Sequence, residues 1–366
     1  MKRVLMKCLK CICFVGIFAL LFFGAQELLR GKWIIGGKDN TASTSSFKEY
    51  RELSPDTVDV LFVGTSHVLY GIDPMYLYQE TGITSYVFGG PGLRLDLSYL
   101  TLKEVLDTQS PKIVFLDASG LHYEKQQTEA KAHKFADQLP LTWEKIEYAF
   151  NNGNDELDPL GVMFPLFRYH SRWDKLEKND LRYVTGTLEE TYMRGHFASY
   201  EQVPATLSFE SEEKFTITDR NLDYFERIVK LCKQEGVELV LYKIPTPDWN
   251  RSYSDAAAAV ALEQGVPFWE LTNELDKIGI DPQVDYHDAT DHLNQYGAEK
   301  LTAYMGEVLT ADDRLTDQRG SNEKWDADLL LYQDRLKALK AEYEQQKREE
   351  KQETEQQMQA EQEEEE

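Results

Sequence analysis

Five short apolar runs recur along this chain, "DVLFVG", "TSYVFGG", "KIVFLDA", "VELVLYKI" and "VPFWEL", and several intervals between them carry apolar residues at helical spacing. This alternation constrains the fold more than any other feature. A strand that is apolar on both faces must be covered on both, and helices in the connections cover a parallel sheet in that way. The interval "LDLSYLTLKEVLDTQ" shows the helical pattern, and so does "DRNLDYFERIVKLCKQEG". In the second, Leu222, Phe225, Ile228, Val229 and Cys232 share one face and Gly236 ends the run. The expected fold is α/β, a doubly wound, mainly parallel sheet. Ligands of such sheets bind beyond the carboxyl ends of the strands. The first run ends in "GTSH", Gly64 to His67, which sets Ser66 at that rim.

Composition bounds what this serine can meet. With 366 residues, 42% apolar and 12% aromatic, the chain has a globular composition. A net charge of −24 argues against nucleic acid and against an anionic membrane surface, because either needs a basic footprint to displace counterions. From Ala341 to Glu366 eleven glutamates face only Lys347, Arg348 and Lys351, so this tail carries −8 of that charge.

The N-terminus places Lys2, Arg3, Lys7 and Lys10 before an uncharged, apolar run from Cys11 to Ala25. The run is short for a span of about 20 residues, but Leu28, Leu29 and a snorkelling Lys10 extend it, and the positive flank stays cytoplasmic. Residues 1–30 read as a signal anchor, with residues 31–55 as a polar linker. A cleaved secretory peptide is the alternative, although "FFGA" is a poor cleavage site. Either way the remainder is expected outside the cytoplasm, on a single-pass cell-membrane protein if the anchor is kept. Cys8, Cys11 and Cys13 lie in the apolar segment, which leaves Cys232 without an internal disulfide partner.

The main domain is expected over residues 56–312, with an irregular, aromatic-rich insertion at 121–218 that includes "GVMFPLFRYHSRWDKL". Loops of this length are uncommon unless they fold, so short helices packed over one edge of the site are expected there. Residues 313–366 read as a charged tail, helical around Leu329, Leu330, Leu336 and Leu339 and solvated at "EEEE". A coiled coil needs three or more sustained heptads, which this tail does not show.

A serine hydroxyl becomes a nucleophile when a base takes its proton, and a histidine oriented by a carboxylate does this near neutral pH. The stretch "VDYHDATDHLNQYGAEKLTAYM", residues 284 to 305, offers Asp288 and Asp291 before His292, then opens an amphipathic helix. Such a loop can return to the rim that carries Ser66. Alone, Ser66 reads as a helix cap and His292 as a structural histidine. Their ordered pairing favours catalysis.

"VDVLFVGTSH" resembles the first block of the SGNH, or GDSL, hydrolases, and "DATDHLNQYGAEKLT" is similar to their last block. The nearest flavour is the membrane-anchored branch resembling alginate O-acetyltransferase and D-alanyl-lipoteichoic-acid transfer proteins. The resemblance covers about Asp56 to Thr310 less the insertion. It implies a flavodoxin-like three-layer fold and acyl transfer on cell-envelope polysaccharide, with a carbohydrate esterase or a silent envelope binding module as alternatives. It further implies a multi-spanning membrane acyltransferase as partner, and no cofactor. By position, Ser66 would be the nucleophile and His292 the base. The family acid lies three residues before the histidine, where this chain has Ala289, so Asp288 or Asp291 must serve, with Asp288 favoured. Gly90 or Gly92 answers the family's oxyanion glycine. The asparagine donor is missing from "LDASG", a loss of about 3 kcal/mol in the transition state unless Arg94 or the insertion compensates.

His67 reads as a packing or substrate-rim residue, and Asp117 as a supporting acceptor or a turn former. Arg168, His170, Arg172 and Trp173 read equally as a sugar-binding wall, since aromatics stack on sugars and arginines hold anions, or as the fold of the insertion. Asp285, His287 and Asp288 lack a second ligand cluster, so no metal is expected.

Overall fold

The apolar runs form five parallel strands, β1 (Val60–Gly64), β2 (Ser85–Gly89), β3 (Ile113–Asp117), β4 (Glu238–Lys243) and β5 (Phe268–Glu270), in the order β2-β1-β3-β4-β5. In register, Val60 lies beside Ser85 on one side and Ile113 on the other. These features come from a computed structural model that describes residues 2–32, 43–91, 93–123, 128–152, 156–187, 191–211, 214–288 and 292–365.

Strand alternation divides the core in two. Leu61, Val63, Tyr86, Phe88, Val114, Leu116 and Leu241 belong to one buried cluster, while Val60, Phe62, Val87, Phe115, Val240 and Tyr242 belong to another. The helices, labelled where they bear on the site, are α1 (Lys2–Leu29), α2 (Ser43–Glu52), α3 (Ser66–Gly71), α4 (Pro74–Thr81), α5 (Leu95–Leu106), α6 (Asp219–Glu235), α7 (Arg251–Gln264), α8 (Gln295–Leu309) and α9 (Glu323–Glu365). Leu97 of α5 and Phe225 and Ile228 of α6 join the first cluster. Leu77 of α4 and Leu301 and Met305 of α8 join the second. The fold is thus the doubly wound, three-layer α/β arrangement that the strand pattern implies. β1 has β2 on one side and β3 on the other, so the winding reverses there, and a crevice opens at the carboxyl ends of β1 and β3.

α1 is long and apolar enough to cross a membrane, and the same length and composition suit a signal sequence. Within the 121–218 stretch short helices lie between Glu129 and Val184, while the described residues of 185–218 form no helix or strand. α9 is not wholly solvated: Trp325 and Tyr332 are buried, and the Tyr332 hydroxyl donates to Asp73 Oδ2 at 2.6 Å. The described residues show no second long helix beside α9 for a coiled coil.

Arg194 ties these parts together. Its guanidinium is fully buried between Glu49 of α2 and Asp328 of α9, both at 2.5 Å, and lies 4.4 Å from the Trp325 ring centroid. Removing one member of such a buried group strands the others without solvent. Arg194→Met is therefore expected to lower the unfolding free energy by about 3–5 kcal/mol, read by urea denaturation of the detergent-solubilised chain. A loss below about 1 kcal/mol would mean that water reaches the carboxylates.

Candidate active site

β1 runs into Thr65 and Ser66 without a linker, so the serine stands at the first position of α3 over the crevice. Gly64 makes the sharp entry possible, because a Cβ there would lie 2.2 Å from the Cβ of Asp117 on the adjacent strand. Gly89 does the same at the end of β2, where a Cβ would meet the Leu69 nitrogen at 2.5 Å. The two glycines let α3 settle against both strand ends.

The opposite side of the crevice is a short hairpin. Tyr286 bridges Leu293 in antiparallel fashion, the His287 N–H donates to the His292 carbonyl at 3.0 Å, and the Asn294 N–H to Asp285 at 2.9 Å. Asn294 then caps α8 by accepting from the Gly297 N–H at 3.1 Å, while its amide donates to the Val284 and Glu201 carbonyls. The cap and the hairpin share one residue, which fixes where His292 stands.

His292 Nε2 lies 2.8 Å from Ser66 Oγ. On the other side of the ring, Nδ1 is 2.7 Å from Asp288 Oδ2, and Asp288 Oδ1 accepts the His292 backbone N–H at 3.2 Å. The carboxylate grips both ring and main chain, leaving Nε2 as the acceptor for a hydroxyl proton. Chemically this relay can move a proton off Ser66. Asp291 lies outside the described residues.

Behind the serine is a buried polar cluster of which sequence reasoning singled out only Asp117 and His67. Asp117 accepts from the Thr65 hydroxyl at 2.7 Å and from the N–H groups of Thr65 and Ser119 at 3.2 and 3.0 Å, joining the turns after β1 and β3. Burial alone would raise its pKa, but Lys243, His67 and these hydrogen bonds outweigh it and lower it. Lys243, at the end of β4, is also fully buried; its ammonium donates to Ser119 Oγ at 2.8 Å and lies 3.3 Å from His67 Nδ1. His67 Nδ1 also lies 3.2 Å from the Thr65 hydroxyl and 3.3 Å from Ser119 Oγ, and its Nε2 faces Asp248 at 3.9 Å. Asp248 is likewise held low, burial being outweighed by Lys243 and His67. Burial and then the Lys243 charge push His122 down to about 4, so it stays neutral. A lysine at the carboxyl end of the apolar run Leu239–Tyr242 was the signal for this cluster.

Other candidate residues have different places. His67 is 1% exposed, so it is no substrate-rim residue. Gly90 follows β2, and its N–H donates to the Gly64 carbonyl at 3.2 Å, an extension of strand pairing that occupies the proton an oxyanion would need. Gly92 lies outside the described residues. Arg94 lies over the Tyr123 ring at 5.3 Å. Arg172 donates to the Leu29 and Arg30 carbonyls at 2.6 and 2.7 Å and pairs with Asp180, and Trp173 stands beside it, largely exposed. Arg172 thus serves the end of α1. Arg168 pairs with Glu129, and His170 Nδ1 bonds the Phe167 carbonyl.

Tyr70 and His287 flank His292, with ring centroids 4.8 and 5.3 Å from it. Both also line a cleft of about 280 Å³ shared with Phe197, Tyr200, Glu201 and, from α9, Tyr343. His287, Asp288 and His292 bring three ligand atoms within 4.8 Å of one another, a grouping different from the Asp285, His287 and Asp288 set considered from sequence.

No protein-family model and no curated protein matches the sequence. Among solved structures, the chain is similar to a GDSL-like lipase from Bacteroides thetaiotaomicron, with 9% identity, 74% of this chain and 97% of that one covered, and a TM-score of 0.35. It is similar to a Clostridium thermocellum family 3 carbohydrate esterase at 13% identity, covering 70% and 98%, with a TM-score of 0.33. An acetyl xylan esterase gives 11%, 69% and 100%, and 0.33. At these scores the likeness decides nothing about activity, which must be argued from the site.

Proposed function

We propose that this chain is a membrane-anchored, outward-facing serine acyltransferase of the SGNH type, which places a small acyl group such as acetyl on hydroxyls of a cell-envelope polysaccharide. The supporting observation is the unbroken relay from Asp288 through His292 to Ser66, 2.7 and 2.8 Å in its two links, at the reversal of the winding. The sequence blocks around Ser66 and His292 support the same reading.

Ser66 Oγ attacks the carbonyl carbon of the donor ester while its proton passes to His292 Nε2. The carbonyl electron pair moves to oxygen. When the tetrahedral species collapses, the bond to the leaving oxygen breaks, and His292 returns the proton to it. An acceptor hydroxyl then gives its proton to Nε2 and attacks the acyl-serine, and when this species collapses the acyl–Oγ bond breaks and His292 returns the proton to Ser66 Oγ. Asp288 holds the imidazole in the needed tautomer and steadies the imidazolium. The Ser66 N–H, in the unpaired first turn of α3, is one donor for the oxyanion. Lys243 adds a buried positive charge behind it. The donor would be supplied by a multi-spanning membrane acyltransferase.

Aromatic faces in the neighbouring cleft, Tyr70, Phe197, Tyr200 and Tyr343, suit a sugar ring as acceptor. The competing reading is an esterase, in which water takes the acceptor's place. Incubation with an aryl acetate and an oligosaccharide separates them: acetylated oligosaccharide is expected by mass spectrometry, acetate alone would mean an esterase, and neither would mean a silent binding module.

The His287, Asp288 and His292 grouping supplies a further test, since two of the three serve the relay. Chelator is expected to leave turnover unchanged within about twofold. Loss of activity restored by zinc would instead assign the three side chains to a metal.

A further inference from the structure

The carboxyl end of α1 is built into the folded domain. Phe22 meets Phe164 and Phe167 at ring-centroid distances of 5.8 and 6.2 Å. Arg30, itself buried, donates to the Asp137 carbonyl at 2.7 Å, Arg172 caps the Leu29 and Arg30 carbonyls, and Lys32 pairs with Asp180 at 3.5 Å. The helices that receive α1 expose large apolar side chains: Phe167, Trp173, Leu181 and Val184 are 49, 72, 56 and 50% exposed. Isolated apolar residues on a surface need no explanation, but four of them on the short helices that pack against an apolar, membrane-length helix do. Charge points the same way. Residues 165 to 184 hold five Arg and Lys against three Asp and Glu, in a chain of net charge −24, so the disfavour of the whole chain for anionic surfaces is locally reversed.

We propose that residues 159–184 form a platform that lies in the interfacial layer of the same bilayer that α1 crosses, with Trp173 and Leu181 inserted among the headgroups. A single helix would leave the domain free to tilt on its stalk. The platform fixes its orientation, and Arg172 becomes the latch between stalk and platform. Tryptophan and arginine are suited to this depth, one amphipathic and the other able to reach phosphate.

The inference rests on α1 being a membrane helix, and the test separates the two claims. The full chain, with Cys8, Cys11, Cys13 and Cys232 replaced, carries a fluorescent label at Trp173→Cys, Leu181→Cys or, as control, Leu262→Cys on α7, which is exposed and packs on β5. It is reconstituted in phosphatidylethanolamine and phosphatidylglycerol vesicles containing a lipid with a shallow nitroxide quencher. Flotation with the vesicles is expected, with quenching at 173 and 181 about twofold or more above that at 262. Flotation with equal quenching at all three sites would overturn the platform and leave the anchor standing. Failure to float would overturn both.

Discussion

Ser66→Ala is expected to lower turnover of an acetyl ester by about 10⁵- to 10⁶-fold, to the level left by binding and oxyanion contacts alone. The change removes one oxygen at the end of β1 and little else. Ser66 is only partly buried, and its Oγ meets His292 Nε2. The thermal transition should accordingly stay within about 2–4 °C of the parent, since the change removes one part-buried hydrogen bond, worth about 1 kcal/mol. Turnover by the alanine variant within tenfold of the parent would remove the serine from the chemistry.

The next largest effect belongs to Asp288. Asp288→Asn is expected to cost about 10⁴ in turnover, because an amide can donate to Nδ1 and then hold the ring with its proton on Nε2, the wrong tautomer for accepting from serine. Asp291→Asn should stay within about tenfold, since the carboxylate that reaches Nδ1 comes from Asp288. The reverse pattern would reassign the orienting acid to the residue beside the histidine. Measuring both variants with a small ester avoids confusion with glycan binding.

The two effects concern a site whose frame was readable before its details. β1, β2 and β3 were legible because each is apolar on both faces and fully buried, as a parallel sheet covered by helices requires, while the edge strand β5 is only partly buried. Ser66 at a strand end and His292 at a helix start were legible as an ordered pair of motifs. Their 2.8 Å approach depends on the Asn294 cap and the close entry at Gly64, and neither residue announces its neighbour.

Contacts between distant segments were not legible. Arg172 and Trp173 look like a sugar-binding wall when read beside their aromatic neighbours, yet the partner of Arg172 is the end of a helix some 140 positions earlier, at separations of 142 and 143. Gly90 looks like an oxyanion donor until strand pairing is seen to continue past β2. The acidic tail hid Trp325 and Tyr332, two aromatics that a charged, solvated helix would not bury. Lys243 is the clearest omission. A lysine in a core is tolerable only beside carboxylates, and here they come from the end of β3, as Asp117, and from the segment after β4, as Asp248.

The direct measurement is where a serine-directed fluorophosphonate becomes attached. After reaction with the purified full-length chain in detergent, proteolysis and mass spectrometry should find a single phosphonylated peptide, the one containing residue 66, and none in the His292→Ala variant. An unmodified peptide, or modification at another serine with residue 66 intact, would contradict the relay as the source of activity.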